Sequence, residues 1–186
     1  MNFFAVGDSI TTTSIDELDA EGWLGHLADS ITNGLESPTR IARGGADIFE
    51  IQDYIDADLS SRPTQPHKIC ILIGANDVED SHGWPQDETT WKADYQYVID
   101  ALHTKYSSAP IYLGKSYRND AIKLTRLTTL NGWIDDLVST NSVFCYAGVN
   151  SYDVFYGHSE YMADEVHPNH NGCVALASAW KTLLDY

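Results

Sequence analysis

Four short blocks of the sequence contain the residue types that acyl transfer requires. That reaction needs a nucleophilic hydroxyl, a base, a carboxylate that orients the base, and hydrogen-bond donors for the oxyanion. Ser9 offers the hydroxyl, His167 the base, and Asp164 the carboxylate, three residues before the histidine. Donors are available from the backbone N–H groups of Ser9 and Gly45 and from the side-chain amide of Asn76. These residues predict a serine hydrolase that uses neither a metal nor another cofactor.

The blocks follow the predicted strands of a parallel sheet. Short β-rich runs alternate with longer segments of helical period, which is typical of a sheet covered by helices on both faces. The predicted strands are 2–6, 39–42, 67–73, 109–113 and 143–146. The predicted helices are 21–32, a segment through Ile48, Ile51, Ile55 and Leu59, 91–106, 121–139 and 169–184. Ligands of such sheets bind beyond the carboxyl ends of the strands, which is where the blocks lie.

In this order the blocks resemble those of the SGNH (GDSL-type) hydrolases. They read Gly7-Asp8-Ser9, Gly44-Gly45, Gly74-Ala75-Asn76-Asp77 and Asp164-Glu165-Val166-His167. The resemblance spans the chain and implies one domain, 1–186, with the family's flavodoxin-like fold, a three-layer α/β/α sandwich around a five-stranded parallel sheet.

The resemblance also implies roles for individual residues. Ser9 would be the nucleophile, with His167 and Asp164 completing a catalytic triad. Ser9, Gly45 and Asn76 would form the oxyanion hole. Because the glycines of the second block are adjacent, Gly44 stays open as the donor in place of Gly45.

The expected reaction is ester hydrolysis through an acyl-Ser9 intermediate, on short-chain esters such as acetyl esters and first of all on those of carbohydrates. Aromatic faces over a cleft suit sugar rings, although ordinary loop packing explains the same residues equally well. The aromatic residues concerned are Trp84, Trp91, Tyr152, Phe155, Tyr156 and Tyr161. The alternatives are a lysophospholipase or thioesterase of the same fold, and a non-catalytic carbohydrate-binding protein derived from it.

The formal net charge of −16 disfavours two classes of partner. A field of that sign repels phosphate backbones and anionic lipids. We therefore expect a small-molecule or carbohydrate ester as substrate, and neither nucleic acid nor a membrane as partner. The first residues show no signal-peptide pattern, which predicts a cytoplasmic protein, or a secreted one if a leader precedes this sequence.

Other features of the sequence are interpreted as structural. Cys70, Cys145 and Cys173 lack the spacing of a metal site and are predicted to be buried apolar residues. Asp8 and Asp77 are predicted to form turns and loops rather than to take part in chemistry.

Two longer stretches lead to further expectations. The basic residues between positions 115 and 126 predict a solvated face of one helix, with a local anion site as the alternative. They are Lys115, Arg118, Lys123 and Arg126. The stretch 147–168, which contains Asp164 and His167, is predicted to be a long irregular loop, and such loops are usually functional.

Overall fold

The computed structural model describes residues 3–12, 22–31, 39–62 and 65–185. Five strands form one sheet in the order β2-β1-β3-β4-β5, and every neighbouring pair is parallel. The strands are β1 (Phe3–Gly7), β2 (Thr39–Ala42), β3 (Lys68–Leu72), β4 (Ile111–Lys115) and β5 (Cys145–Asn150). The α-helices of the described residues are α1 (Gly22–Ser30), α2 (Ile48–Asp58), α3 (Glu88–Lys105), α4 (Ala121–Thr140), α5 (Ser151–Phe155) and α6 (His170–Leu183).

Helices cover both faces of the sheet, as the alternation along the strands requires. Phe4 and Val6 of β1 pack into one apolar cluster with α2, α3 and α4. Phe3 and Ala5 pack into a second cluster with α1 and α6. Successive side chains of a strand point to opposite faces, so a strand buried on both faces is a continuous apolar run. The predicted three-layer α/β/α class is confirmed.

Most predicted elements are confirmed with shifts of one to three residues at their ends. The helix predicted from position 91 begins at Glu88, because the Asp87 side chain caps it by accepting the Thr90 N–H at 2.9 Å. Residues 2, 21 and 32, which are end residues of the two predicted segments 2–6 and 21–32, lie outside the described residues.

The predicted irregular loop 147–168 is wrong in its first part. β5 continues to Asn150, and α5 follows directly. Ala147 and Gly148 are weak strand formers, which hides this part of the strand in the sequence. The Asn150 side chain accepts the Tyr152 N–H at 3.2 Å and thereby starts α5.

The sheet order determines where the blocks meet. β1 lies between β2 and β3, so the segments that follow these three strands emerge side by side at one edge of the sheet. The three cysteines are buried, as predicted, and no disulfide joins any two of them in the described part of the chain. None of the helices in the described parts of the chain is both long enough and apolar enough to cross a membrane.

Candidate active site

The turn that carries Ser9 begins where β1 passes very close to its neighbour. A Cβ atom on Gly7 would lie 2.3 Å from the carbonyl oxygen of Leu72 and 2.4 Å from Oγ1 of Thr11. Real Cβ atoms do not approach a backbone oxygen so closely, so the turn requires glycine at this position.

A turn after β1 then holds Ser9. The N–H groups of Thr11 and Thr12 both donate to the carbonyl oxygen of Asp8, at 3.1 and 3.2 Å. The Asp8 carboxyl group accepts the Ile10 N–H at 3.0 Å. Ser9 is 6% exposed, and its backbone N–H lies at the start of this turn, where free donors collect.

A chain of two hydrogen bonds connects Ser9, His167 and Asp164. Ser9 Oγ lies 2.9 Å from His167 Nε2, and His167 Nδ1 lies 2.7 Å from Asp164 Oδ2. A carboxylate can only accept, so Nδ1 carries the proton and Nε2 faces Ser9 as the acceptor. The structure thus brings together three side chains that are up to 158 positions apart in the sequence.

The loop before α6 fixes the Asp164 carboxylate. Its Oδ1 atom accepts the N–H groups of Val166, at 2.7 Å, and His167, at 2.6 Å. Partial burial raises the pKa of Asp164, but these bonds and the one from the His167 ring outweigh it and lower the pKa below its ordinary value. Asp164 is therefore anionic beside the imidazole.

The turn that contains Gly44 and Gly45 is hydrogen bonded to Asn76. The Ala46 N–H donates to the Arg43 carbonyl at 3.3 Å and closes a turn, in which Gly45 has a φ of +79°. Asn76 Nδ2 donates to the Ala46 carbonyl at 2.9 Å. An amide nitrogen has two N–H groups, so one remains for another acceptor. Gly44 and Gly45 are both exposed in this turn, so both stay candidate donors.

Two carboxyl groups next to these residues are fully buried. Asp77 Oδ1 accepts the Ile48 N–H at 3.1 Å and the Trp91 indole N–H at 2.7 Å, which ties the segment after β3 to α2 and α3. Burial raises the pKa of Asp8 to about 7 and that of Asp77 to about 6. The hydrogen bonds of Asp8 and Asp77 agree with the predicted roles of these residues in turns and loops. Their complete burial could not be predicted from a turn motif.

One group of described residues has the composition of a metal site. Asp47, Glu50 and His82 each offer a ligand atom within 4.8 Å of the others. All three side chains already have hydrogen-bond partners. His82 Nδ1 lies 2.9 Å from Asp47 Oδ2, Asp47 Oδ1 caps α2 by accepting the Glu50 N–H, and Glu50 Oε2 accepts the Asp47 N–H. These contacts explain the group as a link between the segments that follow β2 and β3.

The basic residues do not form one helix face, so that prediction is wrong. One lies on β4, one in the loop after it and two on α4, and each contacts a carboxylate of the protein. The pairs are Lys115 with Asp135, Arg118 with Glu79, Lys123 with Glu79, and Arg126 with Asp80.

The aromatic residues expected over the cleft belong partly to the core. Trp91 and Phe155 are buried, and Trp84 packs against the first apolar cluster. The rings of Tyr152 and Tyr156 stack with centroids 4.5 Å apart, and Tyr156 is exposed. An aromatic lining by Trp91 or Phe155 is therefore excluded, because packing explains both.

Comparisons with known proteins show the family and the fold of the chain. The model of the GDSL-like lipase/acylhydrolase family matches residues 5–174. Among solved structures, the chain is similar to the acetyl xylan esterase AlAXEase, with a TM-score of 0.79 and 20% identity over 99% of this chain and 100% of that one.

Two further structures have the same fold. Axe2, an acetylxylan esterase from Geobacillus stearothermophilus, has a TM-score of 0.76 and 14% identity over 100% of this chain and 94% of its own. A lipase/acylhydrolase from Enterococcus faecalis has a TM-score of 0.74 and 17% identity over 96% and 93%. No curated protein sequence matches the chain.

Proposed function

Because the chain belongs to the GDSL-like lipase/acylhydrolase family, we propose that it is a serine ester hydrolase that forms an acyl-Ser9 intermediate. The hydrogen-bonded arrangement of Ser9, His167 and Asp164 carries this proposal. It supplies a nucleophile, a base within reach of the hydroxyl proton, and a carboxylate that orients the base.

The first half of the reaction forms the acyl enzyme. His167 Nε2 takes the Ser9 hydroxyl proton while Oγ bonds to the ester carbonyl carbon. The Asp164 carboxylate stabilises the imidazolium that results. The tetrahedral intermediate then expels the alcohol, which receives the proton from His167, and the acyl group remains on Ser9.

The second half repeats these steps with water. His167 Nε2 takes a proton from a water molecule, whose oxygen bonds to the acyl carbon. The new tetrahedral intermediate breaks its bond to Oγ, and His167 returns the proton to Ser9. The products are a carboxylic acid and the free enzyme, and no step uses a metal or cofactor.

The oxyanion of both intermediates would be stabilised by three donors: the N–H groups of Ser9 and Gly45 and the free N–H of the Asn76 amide. Support comes from the positions of these residues, at the ends of three neighbouring strands. Donors fixed before the reaction stabilise developing charge without reorganisation. The hydrogen bond from Asn76 to Ala46 provides this fixation on the side of the glycine turn.

We assign acetyl esters of carbohydrates as the substrate class. The support is the similarity to two structures described as acetylxylan esterases, together with the exposed Tyr156 ring stacked on Tyr152. Exposed aromatic faces bind the apolar faces of sugar rings.

Covalent labelling tests the proposed function directly. A fluorophosphonate probe should label the wild-type protein at Ser9 and should leave Ser9→Ala unlabelled. Ser151→Ala, which removes a buried hydroxyl at the start of α5, is the matched control and should be labelled like the wild type. An unlabelled wild type would favour the non-catalytic carbohydrate-binding protein instead. Acetylated xylan, acetylated monosaccharides and longer-chain esters, compared as substrates, then distinguish the substrate classes.

A further inference from the structure

Among the described residues, Arg118 is the one basic residue that is buried, with 5% of its surface exposed. It lies in the loop after β4, outside the residues to which the proposed reaction assigns a role. Its Nε–H has no hydrogen-bond partner in the described part of the chain. Burying an incompletely paired guanidinium costs free energy of folding, so stability alone does not account for its position.

The guanidinium contacts the Asn76 loop, defined as residues 75–79, on both sides of Asn76. Its Nη1 donates to the carbonyl oxygen of Ala75 at 3.0 Å, and its Nη2 donates to Oε1 of Glu79 at 2.6 Å. The Glu79 N–H in turn donates to the carbonyl oxygen of Asn76 at 2.9 Å. Arg118 therefore spans the turn that carries Asn76.

The Glu79 carboxylate remains available for this contact. Its Oε2 accepts a hydrogen bond from Lys123 Nζ at 2.6 Å. The hydrogen bond from Lys123, together with the charge and hydrogen bond of Arg118, lowers the pKa of Glu79 despite its partial burial. Glu79 is therefore ionised at neutral pH, where it forms the ion pair with Arg118.

The opposite side of the Asn76 loop is fixed independently. Asp77 receives the N–H groups of Ile48 and Trp91, and the Asn76 amide donates to the Ala46 carbonyl. Without Arg118, the loop would keep these bonds and lose those to Ala75 and Glu79. The expected change is a small displacement of Asn76 rather than unfolding.

We propose that Arg118 is a positioning residue, which holds Asn76 where its amide stabilises the oxyanion. The inference rests on the proposed function, because it requires Asn76 to act as an oxyanion donor. A planar guanidinium suits the role, since its fixed fork holds two acceptors at once, whereas an ammonium acts as a point charge.

Arg118→Met tests this assignment, because methionine fills the volume without the two donors. It should lower kcat for a small acetyl ester about 10- to 100-fold, the range for a reacting group misplaced by up to 1 Å. KM should stay within about threefold, because the oxyanion forms only in the transition state. Arg118→Lys should recover part of the loss. The control Lys115→Met, which removes the pair with Asp135, should change kcat less than about twofold.

A double mutant separates positioning from general stability. If Arg118 acts through Asn76, Arg118→Met should lower kcat by less than about twofold in the Asn76→Ala background, because the two effects are not additive. A structural role would lower kcat by the same factor in both backgrounds. Circular dichroism and thermal unfolding verify that each variant is folded, and Arg118→Lys carries the test if Arg118→Met is not.

Each outcome has a defined meaning. Unchanged kcat in the folded Arg118 variants, or additive losses in the double mutant, would overturn the inference while leaving the proposed function intact. A folded wild type without esterase activity would refute the proposed function, and the inference with it.

Discussion

Replacing Asp8 by asparagine should make the free energy of unfolding less dependent on pH. In the folded protein, burial raises the pKa of Asp8 from 3.8 to about 7; the Asp77 carboxylate adds to the rise, and the hydrogen bond from Ile10 opposes it. At a pH between these two pKa values, Asp8 keeps its proton in the folded protein and has lost it in the unfolded chain. The stabilising contribution is therefore complete below pH 3.8 and disappears as the pH rises through about 7.

The two pKa values set the size of the effect. Each pH unit between them is worth about 1.36 kcal/mol, so the Asp8 contribution amounts to at most about 4 kcal/mol. Asparagine has the same shape, accepts the Ile10 N–H equally well and does not ionise. Relative to that of the wild type, the free energy of unfolding of Asp8→Asn should therefore rise by up to about 4 kcal/mol between pH 4 and pH 8.

Urea unfolding followed by tryptophan fluorescence measures this difference at intervals of about one pH unit. Any unpaired amide hydrogen of the asparagine adds a constant offset, so the dependence on pH carries the test rather than the absolute value. Asp53→Asn, at an exposed position of α2, is the matched control and should give a difference that does not vary with pH. A flat difference for Asp8→Asn, or one that falls as the pH rises, would refute the reasoning.

Three further predictions concern activity. Ser9→Ala should lower the rate of ester hydrolysis about 10⁴- to 10⁶-fold without loss of the fold; a tenth of wild-type activity in the purified variant would contradict the assignment. Asn76→Ala should lower kcat about 10²- to 10³-fold with little change in KM, and a raised KM at unchanged kcat would assign Asn76 to substrate binding. Because the proposed mechanism uses neither a metal nor a cofactor, EDTA should leave kcat/KM unchanged, and chelator-sensitive activity would contradict the mechanism.

The parts of the fold that the sequence predicts well have local signals. The apolar run Ile69 to Ile73 predicts a central strand, and the spacing of Ile48, Ile51 and Ile55 predicts α2. Given a parallel sheet, the meeting of Ser9 with the segment around Asn76 also follows, because the carboxyl ends of parallel strands lie at one edge. α5 was missed because its signal is one capping asparagine before five residues.

Charged side chains near the site could not be placed from the sequence, because their burial depends on distant partners. Arg118 stands in a polar segment and looks exposed, but its acceptors lie 43 and 39 positions earlier. Asp77 likewise receives donors from α2 and α3, 29 and 14 positions away. The hydrophobic pattern of a sequence indicates which face of an element packs against the core. It does not indicate which polar groups form hydrogen bonds there.

These buried groups contact the loop that carries Asn76 from two sides. The loops after parallel strands lack ladder hydrogen bonds, so the position of Asn76 must be set by contacts from other elements. Arg118 holds the Asn76 loop from the β4 side, and Asp77 holds it from the α2 side. A hydrophobic replacement of either group would remove a desolvation cost and with it the directional bonds. The variants Arg118→Met and Asp8→Asn therefore test different properties, since the first measures position through kcat and the second measures desolvation through stability.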